Sequence, residues 1–129
     1  MIYLDSSVAL AQLFAEDHAP PESLWRESLV SSRLLQYEVM NRVLARGASK
    51  AHVEGARELI AGIALVELAP MVLQRALEPF PTPVRTLDAL HLATFQFLRD
   101  HVESLQLASY DRRLSEAARA LGFEPYVEE

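Results

Sequence analysis

Four acids in this chain, Asp5, Glu38, Asp88 and Asp111, fall where they could act together, each at or near the end of a short apolar run or early in the helical pattern that follows one. Carboxylates gathered in one place repel each other and are driven toward protonation unless a divalent cation compensates them. Hard oxygen donors without a His or Cys cluster select Mg2+ or Mn2+ over zinc, so the chemistry such a set suits is that of a bound hard metal ion. Each acid also has an ordinary use. Asp5 and Asp111 can cap helices, and Asp88 is favourable at a helix amino terminus. Glu38 can pair with Arg42 one turn on, worth about 0.2 to 0.5 kcal/mol. Four acids at strand ends are harder to explain one by one.

The elements that would position them follow from periodicity and punctuation. Ile2-Tyr3-Leu4 reads as a strand running into Asp5-Ser6-Ser7, which can open a helix carrying Val8, Leu10, Leu13 and Phe14. Pro20 and Pro21 suit the first turn of a helix to about Ser28, followed by a strand Leu29-Val30-Ser31-Ser32. Helical spacing predicts helices from Leu34 to Ala45, stopped by Gly47, and from Ser49 to Gly62. Ile63 to Leu68 is a strand candidate, Met71 to Glu78 a helix, and Pro79, Pro81 and Pro83 a stiff connector. A long helix from Thr86 to His101 presents Leu87, Leu90, Phe97 and Leu98 as core. Leu105 to Ser109 reads as strand, Asp111 to Leu121 as helix, and Phe123 to Val127 as an edge strand. Strands alternating with helices predict an α/β fold with a mostly parallel sheet of four to five strands, in one domain spanning residues 1–129. Ligands of such sheets bind at the carboxyl ends of the strands, which is where these acids are expected.

Composition narrows the setting. The chain has 129 residues, half of them apolar, and no cysteine, which excludes a disulfide scaffold and thiolate metal sites. No run approaches a membrane span and the start lacks a basic leader, so a cytoplasmic protein without membrane association is expected. A formal charge of −6 argues against binding nucleic acid through bulk attraction to phosphate. Setting aside the four clustered acids brings it to −2, and Glu128 and Glu129 account for the rest, so the acidity belongs largely to one pocket. Eleven of the twelve bases are arginine, suited to phosphate and equally to surface ion pairs.

Four segments together resemble the PIN-domain ribonucleases, and among them the VapC-type toxins of toxin–antitoxin pairs. Met1-Ile2-Tyr3-Leu4-Asp5-Ser6-Ser7 is similar to the family's opening strand and first acid, and Tyr37-Glu38-Val39 to its second-acid segment. Leu87-Asp88-Ala89-Leu90-His91-Leu92-Ala93 resembles the third-acid stretch, and Ser109-Tyr110-Asp111-Arg112-Arg113-Leu114 the Thr/Ser-x-Asp segment holding the fourth. The resemblance implies a PIN-like three-layer α/β/α sandwich and cleavage of RNA dependent on Mg2+, with Mn2+ as a substitute. It also implies a homodimer and a cognate antitoxin. Asp5, Glu38, Asp88 and Asp111 would hold one or two ions, with Ser6 and Ser109 as neighbouring hydroxyls. A metal-activated water would attack in line, leaving a 5′-phosphate and a 3′-hydroxyl. His91, three residues after Asp88 on the same side of that helix, could contact substrate or a metal-bound water, though a lone histidine there is more often a packing residue or one supporting a ligand. Arg112, Arg113, Arg42, Arg46 and Arg85 are candidate phosphate contacts and Trp25 a candidate antitoxin contact.

Two other classes are weaker. Phosphoaspartate enzymes and receiver domains need a lysine near the acids, and the only lysine is Lys50, on a peripheral helix. A non-toxin PIN nuclease, or a PIN-like module that binds RNA or protein without cutting, remains the alternative; a binding module has no need of four repelling carboxylates.

Overall fold

The computed structural model describes residues 1–14 and 19–126. Alternation along the first strand sets the layering. In β1 (Ile2–Leu4) successive side chains point to opposite faces, so Ile2 and Leu4 enter one core and Tyr3 the other. Three further strands, β2 (Leu29–Ser32), β3 (Ala64–Val66) and β4 (Gln106–Ala108), join it in the order β3-β2-β1-β4, every pair parallel. Tyr3 lies opposite Val30 on one side and Leu107 on the other.

Helices α1 (Ser6–Phe14), α2 (Leu34–Ala45) and α3 (Lys50–Ala61) cover the Ile2/Leu4 face. A short helix α4 (Pro70–Ala76) packs on α5 (Thr86–Arg99), and α5 with α6 (Arg112–Ala120) covers the Tyr3 face. The result is the three-layer α/β/α sandwich expected. Helical spacing explains α2: Leu35, Val39 and Val43 recur every four residues and all are fully buried. This leaves Glu38, one residue before Val39, on the flank of the buried stripe. Gly47, at φ +62°, occupies the left-handed conformation that ends α2, and the Ser49 hydroxyl accepts from the His52 N–H at 3.3 Å to start α3.

Several boundaries differ from expectation. The helix after Pro21 is a five-residue 3-10 turn, Glu22–Arg26, too short to be amphipathic. Phe123 to Val127 is not a strand among the described residues. Only Pro125 makes a parallel bridge to Leu107, and Val127 lies outside the described residues. The core residues of α5 are Leu92 and Phe95, whereas Leu87 is exposed and Leu90, Phe97 and Leu98 are half-buried. Among the described residues no helix is long and apolar enough to cross a membrane.

Candidate active site

The chain leaves β1 toward β2 and β3 on one side and returns as β4 on the other, so the order of strands reverses between β1 and β4. A parallel sheet opens a crevice at the carboxyl ends of its strands at such a point. Asp5 follows β1 directly and Ser109 follows β4, so both stand at that opening. The backbone N–H of Asp5 still donates to Ala108 O at 3.0 Å, continuing the ladder one residue past the strand.

Asp5 is 5% exposed, and the described hydrogen bonds of its side chain all fall on Oδ2. The Ser7 hydroxyl donates to it at 2.6 Å, the Ser109 hydroxyl at 2.9 Å, and the Ser7 N–H makes a long contact at 3.4 Å. Both hydroxyls are held in turn: Ser7 Oγ accepts from Tyr110 N–H and Ser109 Oγ from Asp111 N–H, each at 2.9 Å. These bonds tie the ends of β1 and β4 together and fix the Asp5 carboxylate. Ser109 stands where the resemblance implied. On the other side the hydroxyl that reaches Asp5 is Ser7 rather than Ser6, because the backbone turns into α1 at Ser6; Ser6 lines the cavity instead.

Asp111 caps α6, its Oδ1 accepting from Arg113 N–H at 2.9 Å and Leu114 N–H at 3.2 Å. Its ordinary structural role and its place in the cavity wall therefore coexist. Asp88 is in the first turn of α5, near the positive end of the helix dipole, with a long 3.5 Å contact from Arg85 N–H. Glu38 reaches across from α2 and accepts from His91 Nε2 at 2.6 Å. The other ring nitrogen of His91 lies 2.7 Å from the Tyr3 hydroxyl, so a buried chain runs from the sheet through α5 to α2.

Asp5, Glu38, Asp88 and Asp111 line one cavity of about 560 Å³. Ser6, Ser7 and His91 share its wall, and Arg42, Arg85 and Arg113 stand at it as cations. Arg112 is exposed and does not line it: at the first position of α6 the neighbouring Arg113 takes that direction. Arg46 instead lies over the Phe14 ring, 4.2 Å from its centroid. Trp25 packs against the apolar core and donates to Gln12 Oε1 at 3.2 Å.

The electrostatics reflect crowded, partly desolvated acids. Burial raises the Asp5 carboxyl above the usual carboxylate range, opposed by the His91 charge and by Ser7 and Ser109. Asp88 is raised by its own burial and then by the charge of Asp111. Burial by itself would lower the His91 imidazole, but its bond to Glu38 and the charges of Glu38, Asp5 and Asp88 outweigh that and raise it. As imidazolium, His91 donates to both Glu38 and Tyr3. Burial likewise pushes the Tyr3 phenol strongly upward, so it stays neutral.

This donor set fits a hard divalent ion, which would relieve the cost of ionising Asp5 and Asp88. Among the described residues, no three His, Asp or Glu side chains stand close enough together to hold a metal ion as they are placed, so the acids would have to draw together around one or meet it through water. An open, carboxylate-walled cavity suits a hard divalent ion that keeps several waters and takes only some ligands from protein. Sequence reasoning missed two participants, Ser7 and Tyr3. A phenol in the central strand of a parallel sheet needs a buried partner, and that need was the available signal.

Residues 2–120 match the PIN domain family. Over 124 residues the chain is 40% identical to Ribonuclease VapC46 of Mycobacterium tuberculosis, covering 94% of this chain and 92% of that protein. It is 31% identical over 130 residues to Ribonuclease VapC47 of the same species, covering 95% and 93%. In fold it is similar to the crystal structure of M. tuberculosis VapC20, described as a Sarcin-Ricin loop cleaving toxin, with a TM-score of 0.72 at 18% identity over the whole of both chains. It also resembles a chain of a toxin-antitoxin complex from Klebsiella pneumoniae, with a TM-score of 0.58 at 16% identity over 86% of this chain and 87% of that one. Matched to the family over residues 2–120 and to VapC ribonucleases over nearly their full length, this chain belongs to the PIN-domain family of VapC ribonucleases.

Proposed function

We propose that this protein is a Mg2+-dependent endoribonuclease that serves as the toxin of a VapBC-type pair, acting in the cytoplasm as one catalytic domain. The observation that carries the reading is the convergence of Asp5, Glu38, Asp88 and Asp111, from four distant segments, on one cavity at the strand-order reversal. These four residues would hold the ion. When bound, a divalent ion supplies a Lewis acid that lowers the pKa of water and offsets charge developing on a phosphate. Asp5 is presented by Ser7 and Ser109 without rotamer search, and Asp111 is immobilised by its capping bonds. Arg42, Arg85 and Arg113 meet the phosphates flanking the scissile bond, where a planar guanidinium offers paired donors.

The VapC relatives and the toxin-antitoxin neighbour support a cognate antitoxin, and the exposed Leu73, Leu77 and Leu87 support a homodimer through the α4 and α5 surface. The deciding experiment is RNA cleavage by purified protein with Mg2+, with chelator, and with Asp88→Ala. Cleavage confined to the unmodified protein with Mg2+ is expected, and equal cleavage in all three removes the enzyme assignment. Light scattering tests the dimer, and toxicity on expression, relieved by the neighbouring reading frame, tests the toxin role.

A further inference from the structure

The proposed chemistry assigns work to the four acids and the rim arginines, but leaves a buried polar chain beneath Glu38 without a role. His91 is 2% exposed and has both ring nitrogens engaged, Nε2 with Glu38 Oε1 at 2.6 Å and Nδ1 with the Tyr3 hydroxyl at 2.7 Å. Tyr3 is fully buried in the central strand and meets His91 edge-on, with ring centroids 5.8 Å apart. Tyr3 also packs edge-on against Phe95, one turn further along α5, with centroids 5.6 Å apart. The imidazole is thus held at both nitrogens by hydrogen bonds and packed edge-on against the Tyr3 ring.

Glu38 needs such a clamp. It is borne by α2, on the opposite face of the sheet from α5, and its side-chain oxygens have three rotatable bonds between them and the helix. Asp5 is oriented by two serine hydroxyls and Asp111 by two backbone N–H groups, whereas the only side-chain bond described for Glu38 is the one to His91. A ligating carboxylate that must be searched for costs affinity, and outer partners that orient ligands are worth about 10- to 100-fold in metal binding.

We propose that Tyr3 and His91 form a buried brace that holds Glu38 Oε1 and turns Oε2 toward the cavity, making His91 a positioning residue for the divalent ion. The proposal rests on the reading of Glu38 as a ligand. It also divides the third-acid helix between two tasks: Asp88 faces the ion directly, while His91, three residues on along the same side of α5, aligns a carboxylate from another helix.

The test measures Mn2+ affinity by electron paramagnetic resonance on folded, nuclease-free protein, together with kcat and KM for RNA. The series is His91→Leu, His91→Gln, Tyr3→Phe and Glu38→Gln. His91→Leu removes the donor to Glu38 and should weaken Mn2+ about 10- to 100-fold, lowering kcat with little change in KM. His91→Gln places its amide nitrogen near the position of Nε2 and should recover most of the affinity. Tyr3→Phe frees only the far end of the brace and should fall between wild type and His91→Leu. Wild-type Mn2+ affinity in His91→Leu, with Glu38→Gln impaired, overturns the brace alone. Unchanged Mn2+ binding in Glu38→Gln overturns the ligand reading beneath it. Equal losses in His91→Leu and His91→Gln, tracking a fall in Tm, reduce His91 to a packing residue and overturn the brace as well.

Discussion

The two faces of the sheet are built on different principles. Under α1, α2 and α3 the core is built on aliphatic side chains, with Ile2, Leu4, Val8, Leu35, Val39 and Val43 interlocking, and the buried Ser31 turns its hydroxyl to the sheet itself, donating to Leu4 O at 2.7 Å. Under α5 the core carries Tyr3, and beside it the buried polar side chains His91 and Thr94, the latter donating to Leu90 O at 2.7 Å. A buried polar group stays only where it is hydrogen-bonded; Ser31 bonds to backbone within the sheet, whereas His91 links Tyr3 to Glu38, so the buried polar side chain that connects to a cavity acid belongs to the α5 face. The acids open onto that boundary: Asp5 at the end of the shared strand, Glu38 reaching over from the apolar side, and Asp88 and Asp111 from the polar one.

Substitutions on the two faces should therefore separate activity from stability. On the polar side, Asp5→Asn should lower Mg2+-dependent cleavage by more than about 100-fold, beyond what is typical of residues that only support a ligand. In chelator it should melt no lower than wild type, because a raised carboxyl pKa means that ionised Asp5 opposes folding. A large loss of Tm without metal would show that Asp5 is structural. On the apolar side, Leu35→Ala should cost about 2 to 5 kcal/mol in denaturant unfolding, since Leu35 is fully buried on the α2 stripe. Its cleavage rate at low temperature, where it remains folded, should stay within a few-fold of wild type. A loss of activity comparable with that of Asp5→Asn would mean that the faces are not separable.

The same contrast decides what was legible in the sequence. The apolar face was open to reading because Leu35, Val39 and Val43 obey one helical period and Gly47 ends it, each a local signal. The four acids could be grouped because Asp5 and Asp111 follow strands, Asp88 opens a helix and Glu38 lies in the second turn of the helix after β2, and a parallel sheet brings those places together. Their partners could not be read this way. Ser7 rather than Ser6 reaches Asp5 because of where α1 begins, a shift of one residue that capping preferences do not resolve. Tyr3 and His91 are 88 positions apart, and neither interrupts an apolar pattern in a way that names the other. Among the described residues the edge strand expected after Phe123 reduces to a single bridge at Pro125, which has no N–H to extend a ladder.

Metal and pH should act on the polar face in one direction. Asp5 and Asp88 have folded pKa values above 3.8, so the folded state holds extra protons and stability falls as pH rises through those values. His91 is raised above 6.5, so its contribution is complete below that pH and is lost as pH climbs through the raised value. All three shifts make the metal-free protein less stable toward alkaline pH. Bound Mg2+ requires ionised carboxylates and reverses the trend, contributing about 2.7 kcal/mol when present at 100 times its Kd. The rise in Tm on adding Mg2+ should be several degrees near pH 8 and smaller near pH 5. A rise independent of pH would place the ion elsewhere.

The weakest effect should come from a charge pair at the same end of the sheet but away from the cavity. Arg33, just past β2, donates through Nε to both Glu67 oxygens at 2.9 and 3.1 Å, and its Nη1 donates to Gln36 at 3.2 Å. The pair resembles the acids in its address, yet the Arg33 and Glu67 side chains are 40% and 69% exposed. Water screens such a pair, and it is worth about 0 to 1 kcal/mol. Glu67→Ala should shift the unfolding midpoint by no more than that and leave cleavage unchanged, the opposite of Asp5→Asn on both measures. Strand-end position would then be insufficient for function, with shared burial beside other acids as the distinguishing condition; a cleavage defect in Glu67→Ala would instead extend the active surface along the whole carboxyl edge of the sheet.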